Sequence, residues 1–394
     1  MRTVKIFNIT VFLALFINGT NVLASLHWPL TLSPAEIMFF IVFLLYPKGK
    51  TSSNKYEYIG IFLIILVLGF NYLTSRQLAL AATCTALMQP LLVSVFMKHN
   101  FQKCNVKNLK RIVLAFYVIE CCLAIAERLL RFHLFPNLGI DSEYIDWNEW
   151  RSYSLLGHPL ANSGMVLLLM NFILVDRLSV KTKILLWFLG LVALLCFNSR
   201  FALVLAVICF GLYGLIIIFS RRGSISKRII FIVTAIAFAI ILQYFFTIGF
   251  GDRLVNLGLD DGSSQTRLRA LDLFVYSGKT WQDLLFGTTY SDFSSISIAS
   301  DMSGIVVENF WIQFIFRYGI IFTLLITLVY VRLFYEWFKG YTLLNSFLII
   351  APWIVNLSSS NSLATGGISI TILLIFTYIF KYDSKNNTLL LAKQ

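Results

Sequence analysis

Residues 182–220 read TKILLWFLGLVALLCFNSRFALVLAVICFGLYGLIIIFS. Two apolar runs, 182–198 and 200–220, follow each other with almost nothing between them. Each run approaches the about 20 residues that an α-helix needs to cross a bilayer. The stretch therefore predicts two membrane helices joined by a tight turn, with Arg200 at the turn.

The rest of the chain repeats this pattern. Of its 394 residues, 58% are hydrophobic and 13% charged, and the mean hydropathy is +0.80. The apolar runs are continuous rather than alternating, which argues against a β-barrel. We predict one integral membrane domain over 1–394, an all-α polytopic protein with about twelve transmembrane helices, at 4–24, 34–47, 57–74, 77–97, 111–131, 156–177, 182–198, 200–220, 227–249, 305–335, 340–358 and 364–381.

The basic residues predict the orientation of these spans. Cytoplasmic segments carry an excess of Lys and Arg, and with both termini cytoplasmic the inner segments hold about 22 of the 32 basic residues. Lys279 is the one lysine among the others, which are arginines. This distribution also accounts for the net charge of +13, through topology and contacts with anionic lipid, without a nucleic-acid partner.

Other features narrow the class of protein. The first apolar run has a basic start but no convincing cleavage site, so we interpret it as a retained helix. The six cysteines lie in spans or in a cytoplasmic connection, which implies no disulfide framework. No CxxC pair or histidine cluster indicates a metal, and no cofactor is predicted.

Two connections are long, and both fall on the predicted outer side. They span 132–155 and 250–303, and long ordered loops tend to carry function. Within the second, Ser263–Ser264 are good N-cap residues and apolar side chains then recur at helical spacing. A further short helix is predicted at 281–286, before Gly287, giving two amphipathic helices at the membrane surface.

Polar side chains collect at the outer ends of the spans. Arginine suits phosphate oxygens because it donates two parallel hydrogen bonds and stays charged at any working pH. A lipid-linked pyrophosphate would lie at this level of the bilayer. The candidate residues are Arg151, His158, Arg200, Arg267, Arg269, Glu308 and Arg317.

Structural interpretations compete with this one. An arginine at a helix end often reaches for the lipid headgroups, and we interpret Arg128 and Arg131 as such anchors. His158 could cap the helix that follows it. Glu120 and Glu127 lie seven residues apart on one helix face; we assign them mainly a structural role, with Glu127 close enough to the outer end to meet an arginine.

The order of these motifs resembles a known superfamily. RSYSLLGHPLANSG at 151–164, NSRFAL at 198–203, SQTRLRALDLF at 264–274, LLFGTTYSDF at 284–293 and VENFWIQFIFRYGI at 307–320 are similar in order to the O-antigen ligases and Wzy-type polysaccharide polymerases. The resemblance covers about residues 150–325, less than half of the chain. It implies a GT-C-like, metal-independent glycosyltransferase with an arginine-rich cavity over undecaprenyl-pyrophosphate-linked glycan.

One departure from the pattern favours a polymerase. The ligases usually carry His-Asn at the position that matches Glu308–Asn309 here. The resemblance then implies that Arg200 and Arg267 hold the pyrophosphate, with Arg151, Arg269 and Arg317 as further candidates. Glu308 would be the general base or orient the acceptor hydroxyl, and His158 is the competing base.

Alternatives stay open at this stage. A ligase that transfers glycan to lipid A-core or another acceptor is the alternative with the most similar chemistry. A flippase is a second alternative, because it also has many spans. A flippase should show mid-membrane charges and two related halves, whereas the charges here gather at one rim. The expected setting is a bacterial inner membrane with the active site facing the periplasm, and the expected partners are the lipid-linked oligosaccharide, membrane lipids and a chain-length regulator.

Overall fold

The computed structural model describes most of the predicted spans. It covers residues 2–30, 32–45, 54–74, 83–101, 104–135, 150–219, 281–287, 310–357 and 369–391, with isolated positions between 225 and 243. Glu308, Arg267 and Arg269 lie outside these residues, as do most of the ninth span and most of the 250–303 connection.

The described residues are helical, with no β-strand among them. A π-helical turn at Cys84–Met88 leads directly into the fifth helix. The helices are α1 (Arg2–Phe16), α2 (Thr20–Ser25), α3 (Pro34–Leu45), α4 (Lys55–Leu73), α5 (Gln89–Asn100), α6 (Val106–Leu130), α7 (Pro159–Val175), α8 (Val180–Cys196), α9 (Arg200–Phe219), α10 (Trp281–Phe286), α11 (Phe310–Phe338), α12 (Leu343–Leu357) and α13 (Ser369–Leu391).

The apolar helices make this a helical membrane protein. Lys55–Leu73, Arg200–Phe219 and Phe314–Phe338 are long and apolar enough to cross a bilayer, and five shorter apolar helices accompany them. Helices lie within eleven of the twelve predicted spans, and most of the ninth lies outside the described residues. The all-helical class is therefore confirmed, while the count of twelve transmembrane helices stays a prediction.

Two predicted spans are not continuous helices. The first is broken between Phe16 and Thr20, where a Cβ on Gly19 would lie 1.7 Å from the carbonyl oxygen of Leu155. The backbone of the later segment thus approaches the break directly. The tenth is interrupted at Gly319, whose φ of 79° and ψ of 162° are not helical.

Helices α7 and α13 form the centre of the bundle. Side chains 162–174 of α7 and 371–380 of α13 are all buried, which is the pattern of a helix surrounded by protein on every side. Phe172 stacks on Phe380 with ring centroids 5.2 Å apart. Large apolar side chains are exposed on the peripheral helices instead, as at Phe62 of α4 and Leu328 of α11.

Ion pairs join the helices at one end of the bundle, which we call the Lys98 end. Lys98 Nζ lies 2.6 Å from Glu57 Oε1 and 2.6 Å from Glu336 Oε2. Nearby, Lys110 Nζ lies 2.8 Å from Asp176 Oδ2. These contacts place the start of α4 and α6 beside the ends of α5, α7 and α11.

The opposite end, which we call the Arg200 end, holds the close of α6 and α8 and the start of α7 and α9. The amide of Ser152 donates to the carbonyl of Cys196 at 3.1 Å, and α8 packs against both α7 and α9. Helices α6 to α9 therefore run alternately up and down.

All six cysteines are free, and burial raises the pKa of the Cys104 thiol, between α5 and α6, to about 12.

We expect the variant Lys98→Met to lower the free energy of unfolding by about 3 kcal/mol, because it leaves the fully buried Glu57 carboxylate beside Glu336 without their shared cation. Denaturant titration of the purified protein in micelles measures this. Lys107→Met, which removes an exposed lysine of α6, is the control and should unfold like the native chain. Equal stability of both variants would contradict a structural role for the ion pairs.

Candidate functional site

The structure describes four of the seven candidate residues. Arg151, His158 and Arg200 lie at the Arg200 end of the bundle, and Arg317 lies in the first turns of α11. Arg151, Arg200 and Arg317 are half-buried and His158 is exposed.

A buried, non-helical segment carries Arg151 and ends next to His158. Residues 150–157, between α6 and α7, do not form a helix, although the Gly157 amide donates to the carbonyl of Tyr153 at 3.1 Å, and six of these eight residues are buried. Irregular backbone at membrane depth requires protein or water partners, since lipid offers none. The helices around the segment must therefore supply hydrogen-bond partners for its backbone N–H and C=O groups.

Glu127 of α6 supplies the main partners. Its Oε2 accepts hydrogen bonds from the amides of Tyr153 and Ser154, at 2.8 and 2.9 Å. Its Oε1 accepts a third from the amide of Leu134, at 3.0 Å. The carboxylate is 3% exposed, and His133 Nδ1 lies 3.7 Å from Oε2. One buried carboxylate thus binds three backbone N–H groups.

Glu120, seven residues earlier on α6, binds the next part of the segment. Its Oε2 accepts the amide of Leu155 at 3.3 Å, and its carbonyl accepts the Ser154 hydroxyl at 3.3 Å. Asn162 of α7 accepts the amide of Leu156 at 3.2 Å and donates to the carbonyl of Tyr153. The structural role expected for both glutamates is therefore confirmed, and it consists in holding this segment.

Arg128 is not the interface anchor that we predicted. Its side chain is 2% exposed and donates to the carbonyl of Trp150, with the guanidinium 5.9 Å from the centre of the Trp150 ring. The prediction was wrong because residue 128 faces the 150–157 segment rather than the lipid. Arg131, in a left-handed conformation with φ of 50°, ends α6 and is exposed.

Arg151 and Arg200 lie at neighbouring points of the backbone. Ser152, next to Arg151, bonds the last residue of α8, Cys196. Three residues then form the turn before Arg200, and Asn198 takes a left-handed φ of 52° there, a conformation that asparagine tolerates. The predicted tight turn between the seventh and eighth spans is confirmed, and it places Arg200 at the start of α9.

His158 caps α7, as its competing structural interpretation held. Its Nδ1 accepts a hydrogen bond from the amide of Leu160 at 3.3 Å, and Pro159 follows as the first helical residue. A neutral imidazole that accepts at Nδ1 carries its proton at Nε2. In this state the ring can donate a hydrogen bond from Nε2 to an oxygen, rather than take up a proton there.

Arg317 belongs to a different group of helices. The predicted short helix at 281–286 is present as α10 and packs against α11. Gly287 ends it with φ of 87°, and a Cβ there would lie 2.4 Å from the carbonyl oxygen of Arg317. The Phe286 ring also lies 5.5 Å from Phe70, near the end of α4. Arg317 is thus positioned by α4 and α10.

The arrangement can bind an anion. Arg151 immediately precedes Ser152, whose amide bonds to Cys196, and Arg200 follows Cys196 by four residues. An imidazole that can donate a hydrogen bond lies at the same end. Within the part of the chain that the structure describes, no group of three His, Cys, Asp or Glu side chains could hold a metal ion. Sequence reasoning undervalued Glu127 and Arg128, although an adjacent acid and base near the end of an apolar run is itself a signal of internal partners.

No family model, curated protein or solved structure matches the chain.

We expect Gly319→Ala to destabilise the contact between α10 and α11. Its φ and ψ fall in a region open essentially to glycine alone, and a Cβ would lie 2.2 Å from the carbonyl oxygen of Leu285. The free energy of unfolding should fall by about 2 kcal/mol in a denaturant titration. Gly69→Ala in α4, where nothing lies within 4 Å of the added Cβ, is the control and should not destabilise. Similar values for both would refute the close packing.

The capping role of His158 separates two substitutions. His158→Ala removes the acceptor for the Leu160 amide and should cost about 1 kcal/mol of stability, whereas His158→Asn retains a good N-cap and should stay near the native value. Thermal unfolding in detergent compares the two variants. If both lose the same stability, the cap is not what the imidazole contributes.

Proposed function

We propose that the protein is a polysaccharide polymerase of the inner membrane. It transfers undecaprenyl-pyrophosphate-linked glycan to the acceptor sugar of a lipid-linked repeat unit, at the outer face of the bilayer. Arg151, Arg200 and Arg317 contribute to binding the pyrophosphate. Arg267, Arg269 and Glu308, which lie outside the described residues, complete the proposed site.

The gathering of Arg151, His158 and Arg200 at one end of a helical membrane protein is the observation that carries this proposal. The opposite end holds Lys98, Lys110, Lys183 and Lys381 in contacts with neighbouring helices. Lysine-rich ends face the cytoplasm in most membrane proteins. The proposed site would then face the periplasm, where finished repeat units are joined.

The proposed transfer can proceed without a cofactor. The acceptor hydroxyl attacks the anomeric carbon of the donor sugar, its proton passes to a base, and the pyrophosphate lipid leaves with the electrons of the broken C–O bond. Negative charge grows on the phosphate oxygens as that bond breaks. Fixed guanidinium groups stabilise this charge more in the transition state than in the ground state, which is how they lower the barrier.

Glu308 is the proposed base. His158 is better suited to be a hydrogen-bond donor than a base, because its Nε2 carries the proton while its Nδ1 caps α7. It would donate a hydrogen bond to a phosphate or sugar oxygen. For this reason we propose Glu308 rather than His158 as the base, and the variants Glu308→Gln and His158→Asn test that choice.

We expect Arg200→Ala to abolish polymer in cells that lack the native chain, with single repeat units accumulating on lipid, because the pyrophosphate charge is no longer balanced. A gel of lipid-linked glycans measures this, with protein levels matched by immunoblot. Arg177→Ala, which removes an exposed arginine at the Lys98 end, is the control and should leave the polymer intact.

Other outcomes point to other activities. Intact polymer that stays on undecaprenyl pyrophosphate would indicate a ligase. Repeat units confined to the cytoplasmic leaflet would indicate a flippase. Full-length polymer in a well-inserted Arg200→Ala protein would contradict the proposed role of this arginine.

A further inference from the structure

Glu127 has a geometry that goes beyond helix packing. We propose that it is a positioning residue whose carboxylate joins both limbs of the 132–155 connection and thereby fixes Arg151. The inference deepens the proposed function, since it rests on Arg151 as a pyrophosphate-binding group. The joining of the two limbs can be tested without that premise.

The two oxygens of Glu127 bind chain segments far apart in sequence. Oε1 accepts from Leu134, on the limb that leaves α6, and Oε2 accepts from Tyr153 and Ser154, on the limb that enters α7. His133 adds a side-chain link between the same limbs, because its ring stacks on Trp150 with centroids 4.5 Å apart. The carboxylate and the ring pair together close the base of the connection.

Only a carboxylate can fill this position. An ionised carboxylate accepts hydrogen bonds at both oxygens, whereas the glutamine amide offers one acceptor and one donor group. A glutamine would turn an NH₂ group toward at least one of the N–H donors. A buried N–H left without a partner costs about 1–3 kcal/mol, so one limb would separate from the helix while the side-chain shape is retained.

Arg151 lies between residues that each hydrogen-bond through the backbone to a neighbouring helix. The carbonyl of Trp150 before it accepts from Arg128. Ser152 after it donates from its amide to Cys196 and from its hydroxyl to the carbonyl of Ala124, the latter at 2.6 Å. With the next two amides on Glu127, the backbone around Arg151 has little freedom. A guanidinium on a fixed backbone loses less entropy when it binds phosphate.

The first experiment measures hydrogen exchange of the full chain in nanodiscs. Glu127→Gln should speed exchange in peptides that cover 133–135 and 150–157 and leave α13 unchanged. Glu36→Gln is the matched control: that buried glutamate forms a capping box with Ser33, where glutamine serves equally well. Unchanged exchange in the Glu127→Gln peptides would overturn the proposal.

The second experiment measures turnover of lipid-linked repeat units in membranes. Arg151→Ala and Glu127→Gln should each raise KM for the donor by about tenfold or more, the range expected for a lost charged hydrogen bond. If Glu127 acts through Arg151, the double variant should be no worse than Arg151→Ala alone. Increases that multiply would overturn the positioning role, even with faster exchange.

Failure of the two proposals can be told apart. A native chain that consumes no lipid-linked repeat units removes the polymerase function and with it the role of Arg151. Exchange at 133–135 and 150–157 still decides whether Glu127 joins the two limbs. If the native chain is inactive but the Glu127→Gln peptides exchange faster, only the joining of the two limbs is supported. If it is inactive and exchange is unchanged, the joining fails as well as the polymerase function.

Discussion

The hydrogen bonds from backbone N–H groups of 153–155 to the carboxylates of Glu127 and Glu120 are the constraint on which the Arg200 end depends. A transmembrane helix satisfies its own backbone, but a buried irregular segment does not, and lipid supplies no partners. The acids of α6 replace the missing helical carbonyls. Because they do, the segment can pass between α6, α7 and α8 and approach the break between α1 and α2 at Gly19.

This irregular segment gives the bundle a polar end. The irregular segment positions the backbone of Arg151, the tight turn between α8 and α9 positions that of Arg200, and the start of α7 positions that of His158. In each case a defined backbone feature sets where the side chain begins. Charged groups held on such backbone need little reorganisation when an anion binds.

The Lys98 end shows a different use of charge. There Lys98 is shared by Glu57 and Glu336, and the Ser94 hydroxyl links Glu57 to the indole of Trp337. These contacts join α4, α5 and α11. Lysine serves as a point charge between acids at this end, whereas Arg151 and Arg200 lie at the other end, where planar groups suit phosphate.

Much of the fold could be read from local patterns. Apolar runs of about 20 residues predict membrane helices because the bilayer sets their length, and the turn at Arg200 and the short helix before Gly287 follow from equally local signals. The breaks at Ile17–Gly19 and Gly319 were not predictable, because each depends on a segment distant in sequence that approaches the backbone. For the same reason Arg128 was assigned to the interface.

The sequence by itself determined that this is a helical membrane protein whose lysines collect in the predicted inner segments, because hydropathy and charge are properties of each residue and its near neighbours. Only the tertiary structure decided which charges are internal. Glu127 and Tyr153 are 26 positions apart in sequence. Ser152 and Cys196 are separated along the chain by the lengths of α7 and α8, so packing had to bring each pair together. A hydrogen-bond partner for buried backbone is a property of the fold, and no local pattern contains it.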